Sequence, residues 1–188
     1  MEFNDYQKLA IRTCAPADKA IGRMTIKQLS LLEDIVEDLS MDGAALDRVK
    51  RAVFYGKSAE EDVTPLPHPE ERMSEHTADA VHAAIGLLTE SIELGEAIIL
   101  KATHNEPIDE KNAFEEIGDI MWYLAVLTKA LGIDMNQVMK ANIDKLAARY
   151  GDKFDDYKAV NRDLQAETKA LENVRTKDAW SKTYTQSP

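Results

Sequence analysis

Residues 81–99 read Val81-His-Ala-Ala-Ile85-Gly-Leu-Leu-Thr-Glu90-Ser-Ile-Glu93-Leu-Gly-Glu-Ala-Ile-Ile99. Val81, Ile85, Leu88, Ile92 and Ile99 recur at helical spacing and predict a long amphipathic helix over about 75–102. The stretch contains no proline, and Asn105-Glu106-Pro107 ends it. Asp109 suits the N-cap of a second helix over roughly 110–131, with Gly132 at its C′ position. Asp134-Met-Asn-Gln137 has the form of an acidic capping box and predicts a third helix to Tyr150, stopped by Gly151. Upstream, Ile26, Leu29, Leu32, Ile35, Val36 and Leu39 stripe a helix over 26–39. Gly43 is expected to break it before Leu46, Val49 and Val53 resume a shorter one. Tyr157, Val160, Leu164, Leu171 and Val174 give a narrow stripe over 157–174 that suits a helix packing on a partner. The predicted fold class is all-α: antiparallel helices forming a four-helix-bundle core. Two antiparallel helices leave an apolar side open, so the core is expected to be completed across a dimer.

The rest of the chain bounds the reading. Its 188 residues are one domain's worth, and 44% hydrophobic with 30% charged residues is a globular composition. Pro65, Pro67 and Pro69 mark an extended linker. The expected organisation is an N-terminal helical region over 1–62, a Pro-rich linker over 63–72, a helical core over 73–154, and a C-terminal helix and tail over 155–188. The net charge of −11 argues against DNA or an anionic membrane as a partner. The single cysteine, Cys14, excludes a disulfide framework, and no apolar run is long enough to span a bilayer. The opening Met1-Glu2-Phe3-Asn4-Asp5 lacks the basic and apolar regions of a signal peptide, so a cytoplasmic location is expected, the host cytoplasm if the source is viral.

Two acidic pairs carry the chemical signal. Glu90 and Glu93 lie mid-way along the first long helix, and Glu116 and Asp119 lie on the second. Residues three apart share a helix face, and each pair is flanked by apolar positions. Acids so placed are partly desolvated and repel one another unless a cation intervenes. Hard oxygen donors in that array suit Mg²⁺ or Mn²⁺. Spacing alone leaves both a solvated acidic face and a cation site open.

The strings Glu90-Ser-Ile-Glu93 and Glu116-Ile-Gly-Asp119 resemble the ExxE…ExxD signature of the MazG-like all-α nucleoside triphosphate pyrophosphohydrolases. Asn142-Ile-Asp-Lys145-Leu-Ala-Ala-Arg149-Tyr150-Gly-Asp-Lys-Phe154 is similar to that family's NxxKLxxRYxxxF segment. Asn161-Arg162-Asp163-Leu, with Glu167 beyond, resembles the tail of phage-type members. The family's basic-aromatic segment after the first acidic pair is reduced here to Lys101 and Pro107-Ile-Asp109. A similar string, Lys50-Arg51-Ala-Val-Phe54-Tyr55-Gly56-Lys57, stands upstream, and Ile92 replaces the usual glycine between the glutamates.

The resemblance implies metal-dependent cleavage of a nucleoside triphosphate to monophosphate and pyrophosphate, in control of nucleotide pools. It implies Glu90, Glu93, Glu116 and Asp119 as the catalytic metal ligands for Mg²⁺, with Mn²⁺ as substitute. Asn142, Lys145, Arg149 and Tyr150 are the implied substrate contacts, with Lys158 and Arg162 as further candidates. Trp122 and Tyr123 read as core residues or as a base-stacking surface, and Lys50, Tyr55 and Lys57 as remoter candidates. Asp79-x-x-His82 is half of a di-iron pattern whose second half is missing. A helical dUTPase or a phosphoribosyl-ATP pyrophosphohydrolase is the alternative on the same fold. A non-catalytic helical assembly protein is the alternative of another class. A nucleoside triphosphate is the expected small-molecule partner, and a homodimer or dimer of dimers the expected assembly.

Overall fold

A computed structural model describes residues 1–57 and 74–172, and every secondary-structure element among them is a helix. In chain order these are α1 (Phe3–Ile11), α2 (Ala17–Arg23), α3 (Ile26–Tyr55), α4 (Glu75–Thr103), α5 (Glu110–Ala130), α6 (Met135–Tyr150), α7 (Asp156–Val160) and α8 (Leu164–Glu172). The Pro-rich stretch 63–72 and Val174 lie outside the described residues. No helix among the described residues is long and apolar enough to cross a membrane.

The chain divides into two compact units, one of residues 25–131 and one of residues 1–24 with 132–188. The division between these units falls at 24/25 and 131/132.

In the 25–131 unit, α4 is the middle helix, packed against both α3 and α5. Thr25 and Gln28 form a reciprocal capping box at the start of α3, and Gly56 closes its end at φ +63°. Gly43 does not break this helix. A Cβ there would stand 3.1 Å from Cγ2 of Ile92, so the glycine admits an α4 side chain close to the α3 backbone. A mid-helix glycine costs roughly 1 kcal/mol, and the close approach of Ile92 is what it permits here. Asp109 caps α5 through the Lys111 and Asn112 amides, and Gly132 follows at φ +63°, as the sequence predicts. On α4, Ala83 is wholly buried, and Gly86 lies under the Tyr123 ring of α5. These small residues let the two helices approach closely.

Among the described residues, the buried apolar set of this unit is Val36, Ala83, Tyr123 and Ala130. Of the stripe predicted on α3 only Val36 is buried, while Ile35, Leu39, Val49 and Val53 are exposed. On α5, Phe114 is 82% exposed and Trp122 52%.

In the other unit, Asp134 caps α6 by accepting from the Asn136 amide, but Gln137 returns no bond among the described residues. The amide of Phe154 donates to the carbonyl of Arg12 at 2.9 Å, which ties the end of α1 to the chain after α6. Asp156 receives Lys19 and Arg23 of α2, each at 2.7 Å. The single helix expected over 157–174 is instead two, α7 and α8, parted at Asn161-Arg162-Asp163. Asp155 caps the first, and Asp163 accepts from the Ala166 amide at the start of the second. Two local caps thus override one long stripe, whose Tyr157 and Val160 stay exposed.

Candidate active site

The acidic pairs converge where α4 meets α5. One carboxylate oxygen from each of Glu90, Glu116 and Asp119 lies within 4.8 Å of the others, a group that could hold a metal ion. Glu90 and Glu116 are buried and Asp119 is exposed, so the cluster has a floor and an open side. Glu93 lies outside this group of three, one turn along α4. It is near enough that its charge acts on Glu116. The donors are all carboxylate oxygens, the hard set that fits Mg²⁺ or Mn²⁺.

The electrostatics bear the marks of crowding. Glu116 is pushed up to about 7, first by desolvation and then by repulsion from Glu93 and Glu90. Glu93 is raised too, through desolvation by surrounding atoms and repulsion from Glu90. In the absence of metal this gives the protein a pH dependence. The unfolded chain releases the Glu116 proton near 4.5, and the folded chain holds it to about 7. Below 4.5 both states are protonated and the group contributes nothing. Between the two values the folded state binds more protons than the unfolded, so stability falls as pH rises. Above about 7 the full cost, about 3 kcal/mol, is present. The expected urea midpoint of the metal-free protein is therefore lower at pH 7.5 than at pH 5.5. Glu116→Gln should flatten that slope; an equal slope in the variant would show that another group causes it.

Lys50 of α3 also enters the cluster. The residue is only 5% exposed, and its ammonium donates to Oε1 of Glu90 at 2.8 Å and to Oγ1 of Thr89 at 2.9 Å and pairs with Asp47 at 3.2 Å. Burial alone would depress this lysine, but the bonds to Glu90 and Asp47 outweigh it and raise the pKa. Beside it the Tyr123 ring lies 5.4 Å from the ammonium. Tyr123 is pushed up to about 12 by desolvation and by its hydrogen bond with Tyr55. His82 stacks on Phe54 at 4.2 Å, meets the Tyr55 hydroxyl at 3.3 Å, and packs edge-on to Trp122 and Tyr123. Desolvation and the nearby Lys50 charge lower its pKa. His82 is thus part of an aromatic cluster and not of a metal pair with Asp79.

The other candidates stand in the unit of residues 1–24 and 132–188 and have partners there. Arg149 reaches Glu167 through both Nε, at 2.9 Å, and Nη2, and Arg162 does the same at 3.1 and 2.7 Å. Glu167 is 3% exposed, and the two guanidinium groups hold its carboxyl well below the usual range. Asn142 accepts from the Tyr6 hydroxyl at 3.2 Å, Lys158 donates to the carbonyl of Tyr150 at 3.3 Å, and Tyr150 rests against Phe154. Lys145 is half-buried and makes no ion pair among the described residues.

Residues 82–154 match the family model of the MazG nucleotide pyrophosphohydrolase domain. That segment of the chain is similar to a MazG domain. The match takes in both acidic pairs and the Asn142–Phe154 segment. Neither the curated proteins nor the solved structures compared with the chain give a match. Asp47, Lys50 and Tyr55 lie upstream of the MazG segment. Asp47 was not singled out in the sequence, although Asp47 and Lys50 at i,i+3 interrupt the apolar run Leu46, Val49, Val53 and offered that signal.

Proposed function

We propose that this protein hydrolyses nucleoside triphosphates to monophosphate and pyrophosphate, using a divalent cation held by Glu90, Glu93, Glu116 and Asp119. The observation that supports this best is the convergence of Glu90, Glu116 and Asp119 oxygens within 4.8 Å, inside the MazG match. When bound, Mg²⁺ offsets phosphate charge and activates a water for attack on the phosphoanhydride. Glu90 and Glu116, being buried, are the fixed members of the set, and the exposed Asp119 faces arriving substrate. A carboxylate of the cluster accepts the proton of the attacking water. The resemblance of the Asn161–Leu164 tail to phage-type members supports a role in deoxynucleotide pools. The test is pyrophosphate release from each common ribo- and deoxynucleoside triphosphate, with and without Mg²⁺. Release from none of them would overturn the reading, and exclusive cleavage of dUTP or of phosphoribosyl-ATP would select one of the alternatives.

Asn142, Lys145, Arg149, Tyr150, Lys158 and Arg162 are the proposed substrate contacts. The Arg149–Glu167 pairing sharpens the test of one of them. If Arg149 contacts phosphate, Arg149→Ala costs about 10- to 150-fold in kcat/KM. Arg149→Lys recovers only part, because an ammonium lacks the planar fork. If Arg149 serves Glu167 alone, Glu167→Gln and Arg149→Ala lower the melting temperature alike and leave kcat/KM unchanged.

The proposed assembly is a homodimer, or a dimer of such dimers. The exposed Ile35, Leu39, Val49, Val53, Phe114 and Trp122 support it, since one copy leaves them open to water. Light scattering should give at least twice the 21.0 kDa chain mass at micromolar concentration, and a monomer would exclude it.

A further inference from the structure

Lysine is among the residues least often buried, and it is buried only when paired. Lys50 meets that condition at an unusual place. Its three ammonium protons have three partners, Glu90, Thr89 and Asp47, and one of these is a carboxylate of the converging group. Lys50 and Thr89 both address Oε1 of Glu90, and neither addresses the second oxygen. Asp47 is itself anchored by Arg51 on the next turn of α3. The ammonium is therefore fixed from three sides, and ligation of Glu90 through its other oxygen does not require it to leave.

We propose that Lys50 is a positioning residue and standing counter-charge of the carboxylate site, which holds Glu90 in place without metal and weakens the site's hold on divalent cations. The inference rests on the reading that these carboxylates bind such a cation. A fixed positive charge on one ligand repels an incoming divalent ion at short range and low polarity, where screening is weak. It also offsets part of the repulsion among Glu90, Glu93, Glu116 and Asp119, so the site survives unloaded. Lys50 lies on α3, outside the MazG match, so this charge comes from the chain's own N-terminal part.

The test is calorimetric titration of the full chain with Mn²⁺, at one pH where the carboxylates are ionised. Wild type is compared with Lys50→Met, Lys50→Gln and Lys50→Arg. Lys50→Met should bind Mn²⁺ at least about tenfold more tightly, because a repulsive unit charge is removed. Lys50→Gln keeps a donor toward Glu90 without the charge, and should shift in the same direction. Lys50→Arg keeps the charge and should stay near wild type. Melting curves give a second readout: the stabilisation by Mn²⁺ should be larger in Lys50→Met and Lys50→Gln than in wild type. If Lys50→Met does not fold without metal, Lys50→Gln carries the comparison. Wild-type or weaker Mn²⁺ affinity in the uncharged variants overturns the proposal. Absence of Mn²⁺ binding by wild type, together with no pyrophosphate release, overturns the hydrolase reading itself.

Discussion

Asp119→Asn should lower kcat/KM by roughly 10³-fold or more, about 4 kcal/mol of transition-state stabilisation, while the protein stays folded. The substitution keeps the shape of the side chain and removes the charge that a divalent cation needs. Asp119 is exposed, so its loss costs the fold little. Chelation of the metal should have the same effect on wild type. Glu93→Gln should also be severe but less so, because its carboxylate lies outside the group of three converging oxygens. Glu115→Gln is the control: it removes a neighbouring charge from the exposed surface of α5 and should leave turnover intact. A folded Asp119→Asn enzyme within about threefold of wild type would sink the site assignment.

Gly86→Ala should be the most damaging single methyl group in the 25–131 unit. In an exposed helix this change is favourable by up to about 1 kcal/mol. Here the new Cβ would overlap the Tyr123 ring at Cε1, Cζ and Cδ1. That ring is 5% exposed and is held by the Tyr55 hydroxyl and by packing against His82 and Trp122. It is not a free end that can swing aside. Overpacking of this kind costs about 1–3 kcal/mol or more, and each kcal/mol lowers Tm by about 2–4 °C in a chain of this size. Moving Tyr123 also disturbs the surroundings of Lys50, so activity should fall with stability. Adding Tyr123→Leu to Gly86→Ala should recover part of the loss, as a coupling between the two sites. An unchanged melting temperature in Gly86→Ala would mean that α4 and α5 are not so closely packed.

The parts legible in the sequence are those written locally. Asp109, Gly132, Asp134 and Gly151 announce helix ends because a cap acts on amides two or three residues away. The helical class and the two acidic pairs follow from period and spacing in the same way. Gly43 misleads because its reason lies in Ile92, nearly fifty residues on, and helix propensity says nothing of a distant side chain. Lys50 is legible only as a remote candidate for the same cause: its partner Glu90 is 40 residues away, and a basic residue on a helix ordinarily reads as solvated. The partner that fills the Arg149 fork, Glu167, stands 18 residues later and is hidden for the same reason. The stripe over 157–174 is real as a pattern, but the caps at Asp155 and Asp163 cut it.

The order in which the two units complete themselves during synthesis follows from their make-up. Residues 25–131 are continuous, so that unit has all its helices once Leu131 has cleared the ribosome. Residues 1–24 emerge before this unit, yet their partners are Asn142, Phe154 and Asp156, which emerge after it. The leading helices α1 and α2 are too short to be stable alone, so they wait as unstructured chain for the tail to arrive. A nascent chain stalled once Leu131 has left the exit tunnel would therefore present a protease-resistant carboxylate site while α1 and α2 are still protease-sensitive.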